Sequence, residues 1–121
     1  MRKEDLTRRT RLFALAVIRL VESLPKGRIA DVLGRQLLRS GTSVGANYRA
    51  ACRARSTADF IAKMGLVEEE LDESAYWMEL LVEGRVVQSD TVEPLMRESD
   101  ELLAITVSSF KTAKARKESR G

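Results

Sequence analysis

The residue types that could do chemistry in this 121-residue chain are few, and their spacing excludes most reactions. There is no histidine and one cysteine, Cys52, so Cys–His catalytic pairs and the usual zinc ligand sets are absent; Cys52 reads as a small helix residue. Ser40 and Ser43 have no histidine, and no lysine close in sequence, to serve as base. The acidic run Glu68-Glu69-Glu70-Leu71-Asp72-Glu73 invites a carboxylate metal centre. Bundle centres of that kind use Glu-x-x-His pairs, however, and consecutive acids point in different directions around a helix. No catalytic residue, metal or cofactor is expected. Glu70, Glu73 and Trp77 do share one side of a helix, where the plain reading is a partly buried carboxylate paired with an arginine or with Asn47.

The informative pattern is basic. At 100° per residue, Arg28, Arg35, Arg39, Arg49 and Arg53 fall within about 80° of arc and extend over roughly 37 Å of one helix. Guanidinium forks suit phosphate oxygens, and a ribbon of this length could follow a nucleic-acid backbone. The same face could equally be solvated, or pair with acids of a neighbouring copy. Charge is segregated along the chain: residues 1–55 carry 13 Lys/Arg against 4 Asp/Glu, residues 56–110 carry 3 against 13, and residues 111–121 carry 5 against 1. That division suits a polyanion partner or opposite faces that meet within or between subunits.

The elements that must position these residues are helical. Gly and Pro are scarce at 7 and 2, aromatic residues make up 5%, and Ala, Leu, Glu, Arg and Val dominate, a mixture that favours helix over sheet. Four segments follow, at about 7–24, 28–54, 57–83 and 90–113, within a single domain of residues 1–121. The first, with Leu12, Phe13, Leu15, Ala16, Ile18, Leu20 and Val21, is apolar around much of its circumference and should be buried on more than one side. In the second, Leu33, Leu37, Val44, Tyr48 and Ala51 form a stripe opposite the arginines. Its small-residue cluster Ser40–Ala46 would let another helix approach closely; as a phosphate-cradling loop it lacks the glycine spacing and the Lys-Ser/Thr ending. Ser56 caps the third segment, with Phe60, Met64, Val67, Leu71, Ala75, Met78 and Val82 inward and Gly84 as the stop. Leu66, Trp77 and Leu80 form a second patch, suited to an intrachain contact or a subunit interface. Ser89 or Asp90 caps the fourth, whose inward residues run from Val92 to Phe110, after which residues 111–121 should fray into a basic tail. Short connections imply an all-α, up-down-up-down four-helix bundle. The best apolar stretch, Leu12 to Leu24, is interrupted by Arg19 and Glu22, and the N-terminus turns acidic where a signal peptide would become apolar, so a cytoplasmic location without membrane contact is expected.

The second and third segments carry a family pattern. Gln36 through Arg49, with Arg39-Ser40-Gly41-Thr42-Ser43 and Asn47 inside it, followed by Ala51 through Ser56, Asp59 through Lys63 and Glu70 through Leu81, resembles the four-helix-bundle proteins encoded by 23S ribosomal RNA intervening sequences; Leu24-Pro25 matches the end of their first helix. The resemblance implies a bundle assembled as a ring-shaped homo-oligomer, a homopentamer, with no established enzymatic activity. It further implies kinship with the accessory variability determinants of diversity-generating retroelements, whose basic pentamers bind RNA and a reverse transcriptase. By matching position, Gln36, Arg39, Ser40, Ser43, Asn47, Glu73 and Trp77 are the family-pattern residues, with structural or interface roles. Ala50 departs from the pattern, since many relatives carry Glu there. The expected function is therefore non-enzymatic binding of RNA or a nucleoprotein partner through the arginine face, and the alternative is a structural oligomer or protein-interaction scaffold with no nucleic-acid role.

Overall fold

The computed structural model describes residues 3–120 and contains four helices: α1 (Lys3–Glu22), α2 (Arg28–Cys52), α3 (Thr57–Glu83) and α4 (Ser89–Arg120). Met1, Arg2 and Gly121 lie outside the described residues. Each helix packs on its neighbours in sequence and α1 also meets α4, with no α1–α3 or α2–α4 pairing, which is the arrangement of an up-down-up-down bundle. Among the described residues there is no strand, and no helix is long and apolar enough to cross a membrane.

Local chemistry explains where the helices start and stop. At the head of α3, Ser56 is extended and its hydroxyl accepts the Asp59 backbone N–H at 3.0 Å. At its end, Val86 N–H reaches Leu81 C=O at 2.9 Å and Arg85 N–H reaches Val82 C=O at 3.0 Å, a Schellman closure. The left-handed residue of that closure is Arg85, at φ 61°, while Gly84 keeps φ −79°. Gly84 is required for a different reason: a Cβ there would stand 2.8 Å from the Leu80 carbonyl oxygen.

Helix α4 departs from expectation, because the segment expected to fray after Phe110 continues as helix to Arg120. Two Ala and several Lys/Arg in residues 111–117 are good helix formers, and cations at a C-terminus suit the helix dipole. Lys114 Nζ also lies 5.3 Å from the Phe110 ring centroid.

The core runs through all four helices, with Phe13, Val17, Leu37, Val44, Met64, Leu71, Met78, Leu81 and Leu102 essentially sealed. In α3 the buried residues are Met64, Val67, Leu71, Ser74, Met78 and Leu81, while Phe60, Ala75 and Val82, expected inward, are only partly buried. Helix α1 is not buried all round: Leu12, Leu15 and Ile18 are 48%, 43% and 36% exposed, on the side opposite Leu6, Phe13, Val17 and Leu20. The reason is that α1 has close neighbours on one side only, α2 and, less extensively, α4.

The small residues of α2 meet α1. A Cβ on Gly41 would stand 2.8 Å and 2.9 Å from the two Val17 methyl carbons and 3.1 Å from its Cβ, while Gly45 faces Thr10 and Gly34 faces Leu24 and Val21. Val17 is fully buried and β-branched, so it has little freedom to yield. Gly41→Ala is therefore expected to destabilise the protein by about 1–2 kcal/mol, the overpacking outweighing the gain in helix propensity. Gly65→Ala, where a new Cβ meets nothing within 4 Å, should stabilise by about 1 kcal/mol. Denaturant unfolding of both variants checks the pair, and a Gly41→Ala protein as stable as the parent contradicts the packing argument.

Candidate nucleic-acid interface

The four arginines of α2 and Arg53, which caps its C-terminal end, are all exposed, but the structure divides them. Arg39, at mid-helix, is held by its own chain: its Nε and Nη2 donate to Gln36 Oε1 at 3.3 and 3.2 Å, Nη1 lies 3.5 Å from Glu70 Oε2, and Nη2 is paired with Glu73 Oε1. Trp77 Nε1–H donates to the same Glu73 oxygen at 3.1 Å, and the Tyr76 ring meets the Trp77 ring edge-on, centroids 5.1 Å apart. One turn inward, the Ser74 hydroxyl donates to Ser40 Oγ at 2.8 Å, and both serines are fully buried. Gln36, Arg39, Ser40, Glu73 and Trp77 thus form one α2–α3 contact. Ser43 stays within its own helix, bonding the Arg39 carbonyl at 2.6 Å. Asn47 is half-buried and makes no side-chain hydrogen bond among the described residues, so the partner of Glu70 and Glu73 is Arg39 and not Asn47.

Glu70 is the least comfortable member. Its Oε2 is buried without a hydrogen-bond donor, and burial, then the neighbouring Glu73 charge, pushes its carboxyl above the usual range against the pull of Arg39.

Arg49 and Arg53 sit in a different setting, where α2 ends and α3 begins. With Ala46, Ala50, Arg55, Asp59 and Lys63 they line an open groove of about 880 Å³. Its acid, Asp59, is already engaged: Lys63 Nζ donates to it at 2.9 Å and the Arg55 backbone N–H at 3.3 Å, which together hold its carboxyl below the usual range, the lysine contact first. Among the described residues Arg49, Arg53 and Arg55 form no ion pair within 4 Å, and the Arg55 charge acts on Asp59 only at longer range. A smaller hollow of about 480 Å³ between α1 and α2 shares Ala46 and Arg49 with the groove and adds Arg11. Arg28 and Arg35 stand at the opposite end of α2, away from this cluster.

The arrangement can bind a run of anionic oxygens; it holds no activated nucleophile, and no group of three His, Cys, Asp or Glu among the described residues could hold a metal ion. Arg11, Arg55 and Lys63 were absent from the ribbon read off α2, because only antiparallel packing brings α1, the α2–α3 turn and the first turns of α3 beside Arg49. The usable signal was the Ser56 cap, which places a tight turn directly after Arg53.

A family model described as 23S rRNA-intervening sequence protein matches residues 2–108. The chain belongs to that family. It is also similar to a protein of unknown function from the S23 ribosomal protein family of Bacteroides thetaiotaomicron VPI-5482, known by crystal structure: identity is 33%, the match covers 92% of this chain and 99% of that one, and the TM-score is 0.85. No curated protein matches. Neither the family description nor that of the similar structure names a catalytic activity. The family match takes in the Arg39 contact and the whole groove, and ends before the basic last turns of α4.

Because Arg39 supports two carboxylates, Arg39→Ala should lower stability, by about 1 kcal/mol given that its side chain is half exposed. Glu70→Gln should do the opposite at neutral pH. A carboxyl whose folded-state pKa is raised binds its proton more tightly in the fold, so its ionisation weakens the parent as pH rises, and the advantage of the glutamine variant should vanish as pH falls through the carboxylate range. Urea midpoints at neutral and acid pH test both, and a Glu70→Gln protein that is weaker at neutral pH contradicts this account.

Proposed function

We propose that this family member is a non-enzymatic, cytoplasmic RNA-binding protein that works as a homo-oligomer and grips phosphate oxygens at the α2–α3 corner. The observation that carries the reading is the groove: Arg49, Arg53, Arg55 and Lys63 converge from two helices and their turn, while their one acid is spent on Lys63 and a backbone N–H. Unpaired guanidinium groups around a concave floor of alanines suit a phosphodiester chain. Ala50 is part of that floor, at the position where many relatives carry Glu, so the acid that would offset the cations is missing from this chain. Within the arginine face, Arg49 and Arg53 are the principal contacts, Arg28 and Arg35 extend it, and Arg39 is chiefly structural.

The scaffold reading draws support from a separate feature, the exposed Leu12, Leu15 and Ile18 on α1. An apolar stripe of this kind is what a partner copy would cover. We take it as the contact that closes a ring, five-membered if the chain assembles as the resemblance implies, so that the basic corner is repeated around it. A reverse transcriptase carrying its own RNA is the protein partner such a ring would serve.

Affinity for a structured RNA should fall steeply with salt, and Arg49→Glu or Arg53→Glu should each weaken it by about tenfold and flatten the salt dependence. Ala50→Glu should weaken it as well, although it removes no cation. Retention of full affinity by all three variants would falsify the assignment. Leu15→Glu should shift the light-scattering mass toward the monomer, and an unchanged mass rules out α1 as the closing surface.

A further inference from the structure

Behind the groove, at the end of the bundle where the start of α1, the end of α2, the start of α3 and the last turns of α4 converge, lies a second cavity of about 630 Å³. Its walls combine apolar residues, cations and the two hydroxyl residues Ser56 and Thr57. Tyr48, Ala51, Cys52, Ala54, Phe60 and Ala113 make an apolar, partly aromatic interior, in which Tyr48 is 6% exposed and Phe60 packs half-buried against the core. Around it stand three cations from three segments: Lys3 of α1, Arg55 of the turn and Arg116 of α4.

We propose that this cavity receives one unpaired nucleotide of a bound RNA, its base against Phe60 and Tyr48 and its flanking phosphates on Arg55 and Arg116. The inference rests on the RNA-binding reading above and sharpens it from RNA in general to single-stranded RNA. Three features carry it. The volume lies within the roughly 300–1,000 Å³ of ordinary small-molecule sites, ample for a flat ring system. The lining pairs aromatic surface with cations, the combination by which single strands are held, bases on rings and backbone on charges. And Arg55 lines both the cavity and the phosphate groove, so a strand with one base turned inward continues directly along Arg53 and Arg49. A base inside a duplex is stacked and paired and cannot enter.

The cavity also offers polar groups for a base edge. Burial, and then the neighbouring Cys52, pushes the Tyr48 phenol up, so it stays neutral and can both donate and accept a hydrogen bond. Lys3, Arg55 and Arg116 are the charged residues that line the same space. Arg116 and Ala113 lie beyond residue 108, where the family match ends, and they reach the cavity because α4 stays helical to Arg120.

The test uses the full chain with two labelled probes, a short oligoadenylate strand and the same strand annealed to its complement. In fluorescence anisotropy, the strand should bind more tightly than the duplex. Phe60→Ala should weaken the strand by about tenfold while leaving the duplex unchanged. Ala113→Trp, which fills the cavity from the accessible side of α4, should do the same if Phe60→Ala fails to fold. Cys52 supplies an independent readout: oligoadenylate should slow alkylation of its thiol by iodoacetamide and the duplex should not. Equal loss of strand and duplex, no loss with either variant, or protection of Cys52 by a fatty-acid anion but not by oligoadenylate overturns the nucleotide cavity alone. Failure of the parent protein to bind either probe overturns the RNA reading beneath it.

Discussion

The seating of α2 between α1 and α3 is the constraint on which the rest of this structure depends. On one side Gly41 lets the backbone come down onto the fully buried Val17; on the other, the buried Ser40 and Ser74 hydroxyls bond each other at 2.8 Å. Small side chains at both seams bring the helices close, and dispersion contacts and a satisfied polar pair then hold the rotation of α2 about its axis. With that rotation set, Leu37, Val44 and Tyr48 must face the core and the arginines must face out.

The same close approach explains why the outward arginines are not equivalent. At mid-helix the α2–α3 seam brings Glu70 and Glu73 within reach of Arg39, and the guanidinium is drawn into the fold. Toward the α2–α3 turn, α3 presents Lys63 and an already occupied Asp59, so Arg49, Arg53 and Arg55 keep their charge directed at solvent. Antiparallel topology adds Lys3 and Arg11 from the start of α1 and Lys114, Arg116 and Lys117 from the end of α4 to the same end of the molecule. A charge imbalance that reads as a difference between halves of the chain thereby becomes a difference between ends of a bundle. The field of such a pole extends about one Debye length into solvent and favours an anionic partner, the proposed RNA among them.

Periodicity made most of this fold legible. The inward stripes of α2, α3 and α4 and the Ser56 cap are local properties, carried by residues within a few positions of each other. What periodicity could not supply was the third dimension. The apolar residues of α1 are too many for one core face, and nothing local says that Leu12, Leu15 and Ile18 are the ones left outside; that depends on α1 having neighbours on one side only. The continuation of α4 past Phe110 was hidden because a helix with no apolar face gives no amphipathic signal even where its propensity is high. At the site, helical angles put the five arginines on one exposed side, but the tie from Arg39 to α3 and the addition of Arg11, Arg55 and Lys63 are tertiary facts. The Arg39 partner was half visible, since Glu70, Glu73 and Trp77 already shared a helix side.

The family match and one strongly basic end are what support the proposal of a binding protein, in which shape and charge rather than bond-making would carry the function. The central claim is that the arginine face is split, with phosphate contact confined to the α2–α3 corner. Arginine footprinting with phenylglyoxal, in the presence and absence of bound RNA, tests it most directly. Protection concentrated at Arg49, Arg53 and Arg55, with Arg28 and Arg35 modified nearly as fast as before and Arg39 slow throughout, is the predicted result; protection spread evenly from Arg28 to Arg53, or rapid modification of Arg39 that RNA suppresses, would contradict it.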